Sequence, residues 1–157
     1  MRIGALAATR VYRLAAPTRI ILAHAGGFLP YASHRFAELA RVFRPDAANP
    51  VEILASFQRF YFDTALSSGP AAMPSLKAFA GSDRILFGSD FPYAPAGIGA
   101  SFTAKLDAYD GLTADEHGAV SHGNARTLFP RLAPQHDIAL SERRSARSDA
   151  WDTCVAK

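Results

Sequence analysis

The chain of 157 residues is long enough for one domain with a substantial core, and its 49% hydrophobic and 20% charged content is ordinary for a globular protein. No stretch approaches the ~18 consecutive apolar residues of a membrane span, and the start keeps arginines at 10, 13 and 19 with no clean apolar run. A membrane span and a secretory leader are therefore not expected, and a cytoplasmic location is. The formal charge of +3 comes from scattered basic residues without interleaved aromatics, which reads as solvated surface and not as a nucleic-acid interface. The single cysteine, Cys154, excludes an internal disulfide framework.

In chain order, "ALAATRVY" at 5–12 reads as the helix of a βα unit arriving without its strand. "RIILAHAGGFLPY" at 19–31 is an apolar run that ends on His24 and turns through Gly26 and Gly27. In "SHRFAELARVF", Phe36, Leu39, Ala40 and Phe43 share one helical face. "PVEILASF" predicts a short helix with Pro50 in its first turn. "RFYFDTALS" at 59–67 is the second strand-like run, reaching Asp63. "MPSLKAFAG" places Leu76, Phe79 and Ala80 on one side, with Gly81 as the cap. "RILFGSDFPYAP" at 84–95 is the third run, with Asp90 just beyond a Gly-Ser.

Towards the end, "SFTAKLDAYDG" predicts a helix with Phe102, Leu106 and Tyr109 inward, closed by a glycine. Thr113 and Glu116 have capping-box spacing, and Asn124 suits an N-cap for a last helix that Pro130 ends. Strands alternating with helices about every 30 residues predict an α/β fold with a parallel sheet, buried on both faces. Residues 1–133 read as the domain, and residues 134–157, poor in apolar residues and mixed in charge, as a disordered tail.

His24, Asp63 and Asp90 then fall at the carboxyl ends of parallel strands, the rim where barrels of this kind assemble their chemistry. By itself a histidine ending an apolar run reads as a hydrogen-bonded structural residue, and Asp63 as the anchor of a βα loop or the cap of the next helix. His34, His117, His122 and His136 read as surface residues. Phe28, Tyr31, Phe91 and Tyr93 read either as a pocket lining or as packing over the rim.

Four stretches in order, "ILAHAGGFLPY" followed by Arg35, "FYFDTALS", "RILFGSDFPYAP" and "HGNARTLF", resemble the carboxyl-terminal half of the amidohydrolase-related superfamily. The branch resembled is that of 2-amino-3-carboxymuconate semialdehyde decarboxylase and related aromatic-acid decarboxylases. The resemblance spans roughly residues 5–132 and implies a metal-dependent TIM barrel, usually with zinc. It implies that His24 matches the histidine ending the sixth strand, a general acid/base beside the metal-bound water. It implies that Asp90 matches the catalytic aspartate after the eighth strand, a metal ligand. It further implies that Arg35 matches an arginine that holds the substrate carboxylate in a neighbouring subunit's site, so a homo-oligomer is expected. The residue types suit these tasks: a carboxylate is a hard ligand, imidazole exchanges protons near neutrality, and guanidinium offers a planar fork to a carboxylate.

The family's His-x-His on the first strand and the histidine ending the fifth have no counterpart. The five histidines stand at 24, 34, 117, 122 and 136, and none forms His-x-His. A complete eightfold barrel needs about 250 residues. The expectation is thus a truncated member carrying about the last three strands of a TIM barrel. Its expected activity is that of a metal-dependent decarboxylase or hydrolase of an aromatic or unsaturated carboxylic acid, short of most metal ligands. The alternative is a catalytically inactive remnant that packs with a partner chain.

Overall fold

A computed structural model of the chain describes residues 19–132. The expected helix at 5–12, the tail at 134–157, His136 and Cys154 lie outside the described residues. Three short strands, β1 (Ile21–Leu22), β2 (Tyr61–Asp63) and β3 (Ile85–Leu86), form a parallel sheet in the order β1-β2-β3. Ile21 pairs with Tyr61, Leu22 and Ile85 with Phe62, and Asp63 with Leu86. Helices fill the connections: α1 (Leu29–Phe43) and α2 (Pro50–Phe57) between β1 and β2, and α3 (Ala72–Ala80) between β2 and β3. After β3 come α4 (Ala96–Asp107) and a helical run of α5 (Ala114–Gly118), a π-turn (Ala119–Gly123) and α6 (Asn124–Leu128). No helix among the described residues is long and apolar enough to cross a membrane.

The register fixes which side chains meet the helices. Leu22, Phe62 and Ile85 form one row across the sheet, and Phe62 and Ile85 are fully buried with Met73, Leu76, Leu106 and Val120. Phe62 meets Phe79 of α3 edge-on, ring centroids 5.9 Å apart. On the opposite face Ile21 is 39% exposed, and Tyr61 is half-buried with the Arg84 guanidinium over its ring. The second face is thus partly open at β1 and β2, against the expectation of burial on both sides. At β3 the same face is closed, Leu86 being 5% exposed.

Several local expectations hold for the stated reasons. Pro50 opens α2, Gly81 caps α3, and α6 stops two residues before Pro130. The Thr113–Glu116 capping box is closed in both directions, at 3.2 and 2.8 Å. Hydrogen bonds to Lys77, to the Thr113 backbone and to Ser82 hold the Glu116 carboxyl down at about 2 from an ordinary 4.5. A second box, Asn49 with Glu52, starts α2.

Three helical expectations are corrected. Of the expected α1 face, Phe36 and Ala40 pack inward beside the buried Ala32, Ser33 and Ala37, whereas Leu39 and Phe43 are 42% and 75% exposed. Ala37 packs with Ile53 and Phe57 of α2, a close approach that a larger side chain would prevent. α4 ends at Asp107, with Ala108 as its cap, ahead of Tyr109 and the glycine. Asn124 does not cap a helix. The π-turn carries the helix through it, and its amide donates to the carbonyls of Ser82 (2.8 Å) and Ile85 (2.7 Å), tying α6 to the base of β3. His117 is not a surface residue either: half-buried, its Nε2 lies 2.8 Å from the Tyr109 carbonyl oxygen.

Candidate active site

The carboxyl ends of the three strands share an uncommon backbone feature. All the non-glycine residues with positive φ among those described fall there: His24 and Ala25 after β1, Leu66 after β2 and Asp90 after β3. Left-handed backbone costs an ordinary residue roughly 1–2 kcal/mol, so the neighbouring contacts must hold it. After β1 the run is four residues long, because Gly26 and Gly27 follow at φ +71° and +62°. The turn is closed by Gly26 N–H to Ala23 O at 2.9 Å and Gly27 N–H to His24 O at 2.8 Å. Glycine is required at 26 for a second reason. A Cβ there would lie 2.9 Å from the buried Phe62 ring.

Asp63 fastens this turn to the next strand. Its Oδ1 accepts the backbone N–H of His24 at 2.8 Å and that of Ala65 at 3.0 Å. His24 Nδ1 in turn lies 3.0 Å from the Ala65 carbonyl oxygen. On the other side, Thr64 links β2 to the loop after β3, accepting Gly88 N–H at 3.1 Å while its own N–H binds Leu86 O at 3.0 Å. A Cβ on Gly88 would come within 3.1 Å of the Asp63 Cβ, so the loop bearing Asp90 passes close against Asp63. The reading of Asp63 as a loop anchor holds, and the anchor proves to serve the loop of β1 as well as its own. The Asp-x-Ala spacing that lets a carboxylate bind a backbone N–H two residues on was a visible signal. The partner across the sheet was not.

His24 is thus exposed at one end of the rim and Asp90 half-buried at the other, with β2 and Asp63 between. No hydrogen bond joins the two among the described residues. Asp90 turns the chain back on itself, its carbonyl accepting Ala94 N–H at 2.8 Å. Arg35 is exposed on α1, paired with no carboxylate among the described residues and bonded to neither His24 nor Asp90. The rim aromatics are open: Phe28, Tyr31, Phe91 and Tyr93 are 68–91% exposed, and Phe28 alone stacks, tilted against Phe36 at 5.6 Å.

Among the described residues no three His, Cys, Asp or Glu side chains are placed to surround a metal ion. A catalytic zinc takes three protein ligands, so Asp90 and its neighbours do not by themselves fit a metal centre.

Sequential parallel βα units with polar residues gathered on the carboxyl rim define an α/β fold of the kind that also builds βα barrels. The amidohydrolase family pattern matches residues 5–131, and the chain belongs to that family. It is 44% identical over 115 residues to a 6-methylsalicylic acid decarboxylase of Penicillium expansum, covering 73% of this chain and 35% of that protein. A crystal structure of an amidohydrolase II superposes with a TM-score of 0.66 at 28% identity, over 75% of this chain and 37% of the other. A dihydroxybenzoic acid decarboxylase from Polaromonas sp. JS666, with bound manganese and an inhibitor, has the same fold at a TM-score of 0.63 and 24% identity, covering 80% and 39%. The chain spans about a third of the length of the curated relatives it matches.

Proposed function

We propose that the chain carries the last three βα units of a metal-dependent decarboxylase that removes CO2 from an aromatic or unsaturated carboxylic acid. The observation that carries the reading is the rim itself, where His24 after β1 and Asp90 after β3, the two outer strands of one parallel sheet, are both set in left-handed backbone. The 44% identity to a 6-methylsalicylic acid decarboxylase supports decarboxylation over hydrolysis. Loss of CO2 from an aryl carboxylate needs a proton delivered to the ring carbon that the carboxylate leaves. An imidazole can accept and return a proton, the role given to His24. Asp90 is one ligand of a divalent metal, zinc or another, whose remaining ligands come from outside the described residues. Arg35, exposed and unpaired with any described carboxylate, is placed to meet a substrate carboxylate across an interface between copies.

The shortage of ligands and the half-open sheet face favour a second reading, an inactive remnant that packs with a partner chain. The two readings separate by complementation. The chain is combined with the first two-thirds of the Penicillium expansum relative and supplied with Zn²⁺ or Mn²⁺. Decarboxylation predicts CO2 release from 6-methylsalicylic acid, lost in His24→Ala and in Asp90→Ala. On its own the chain should bind zinc no better than Asp90→Ala does. An assembled, metal-loaded pair that releases no CO2 favours the remnant, and release that survives both substitutions refutes the assigned roles.

A further inference from the structure

The Asp63 carboxylate binds the His24 backbone and not its ring nitrogen, yet the hydrogen bonds around it decide how that ring is presented. A carbonyl oxygen can only accept, so the 3.0 Å contact between His24 Nδ1 and Ala65 O requires the proton to sit on Nδ1. The neutral ring then carries a bare Nε2. The carbonyl can select this tautomer only if it is held in place relative to the ring. Asp63 Oδ1 binds the backbone N–H at both ends of that arrangement, His24 at 2.8 Å and Ala65 at 3.0 Å. Imidazole, Ala65 and carboxylate thereby close a loop of three hydrogen bonds across two strands. Ala65 is buried at 4% exposure, so its carbonyl has little freedom of its own. The β3 loop packs closely against Asp63, since a Cβ on Gly88 would lie 3.1 Å from its Cβ and 3.2 Å from its Cγ.

We propose that Asp63 is a positioning residue that, through Ala65, holds neutral His24 in the Nδ1–H tautomer and leaves Nε2 as the proton acceptor at the rim. The tautomer is a property of this chain whether or not it decarboxylates anything; only its use in proton transfer rests on the function proposed above. A negative charge is not what the arrangement needs. It needs one oxygen able to accept two N–H groups, which an asparagine amide oxygen also provides.

The test is nitrogen-15 NMR of the imidazoles in the full chain, at a pH where they are neutral, with His24 assigned by His24→Gln. Long-range proton–nitrogen couplings report which ring nitrogen is protonated, independently of metal and substrate. The expected result is a single Nδ1–H tautomer in the parent chain, retained in Asp63→Asn. Asp63→Ala should lose it, giving a mixture with Nε2–H populated. Thr64→Val breaks the neighbouring β2–β3 link without touching the loop of three bonds, and should retain it. An Nε2–H tautomer in the parent, its persistence as Nδ1–H in Asp63→Ala, or equal loss in Thr64→Val overturns the proposal. If Asp63→Ala does not fold, amide exchange in the parent decides: slow exchange at both His24 and Ala65 supports the carboxylate clamp, and rapid exchange at either removes it.

Discussion

Replacing Gly26 by alanine tests the packing beneath the rim. The added Cβ would lie 2.9 Å from both Cδ1 and Cε1 of Phe62, a ring with no exposed surface, edge-on to Phe79 and packed among Met73, Leu76 and Ile85. The ring cannot move without opening the largest cluster of the core. Overpacking of this kind costs about 1–3 kcal/mol. Alanine at φ +71° adds about 1 kcal/mol of backbone strain. The sum, about 2–4 kcal/mol, is a large part of the ~5–15 kcal/mol that holds a domain together. Urea unfolding followed by circular dichroism should show the midpoint falling accordingly, with the slope unchanged. Phe62→Leu shortens the offending side chain, so the double variant should recover at least about 0.5 kcal/mol relative to the sum of the singles. Gly27→Ala is the control: nothing lies within 4 Å of its added Cβ, so it carries backbone strain alone and Phe62→Leu should not relieve it. A Gly26→Ala midpoint within about 0.5 kcal/mol of the parent, or equal relief at Gly27, would refute the steric account.

Asn124→Ala leaves the carbonyls of Ser82 and Ile85 without their amide donor and should destabilise the chain by about 1–3 kcal/mol. Asn124→Asp should cost more at neutral pH, because a carboxylate would face two carbonyl oxygens; a calorimetric scan that ranks the two the other way contradicts the assignment. The Glu116 carboxyl lies lower in the folded chain, about 2, than its ordinary 4.5, so its contribution to stability is present above about pH 4.5 and is lost as pH falls towards 2. Acid titration of the unfolding midpoint should therefore steepen in that window, and Glu116→Gln or Lys77→Met should flatten it.

Much of the chain could be read locally. The strand–helix alternation, the Thr113–Glu116 box, the Gly81 cap and the stop before Pro130 depend on neighbours within a few residues, and each formed as its spacing required. α1 misled because periodicity marks an apolar stripe without saying which stripe a neighbour will cover. Leu39 and Phe43 suit a core, but α2 packs on the side of Ala37, Phe36 and Ala40 and leaves the other two exposed. Asn124 misled because a good cap residue is also a good donor, and two carbonyls about forty residues away drew it into the middle of a helix.

At the site the division is similar. The sequence determined which residues reach the rim, since an apolar run ending on a polar side chain places His24 and Asp63 at strand ends, with Asp90 just beyond. It also determined that the chain turns tightly there, because Gly26 and Gly27 take up backbone that other residues resist. Only the tertiary structure decided that Asp63 binds the backbone of His24, that Ala65 faces its ring, and that the loop at Gly88 passes close against the Asp63 side chain. Those relations join residues 24, 63 and 88 across three strands. No local preference encodes them, because they exist only once the parallel register has brought the strand ends side by side.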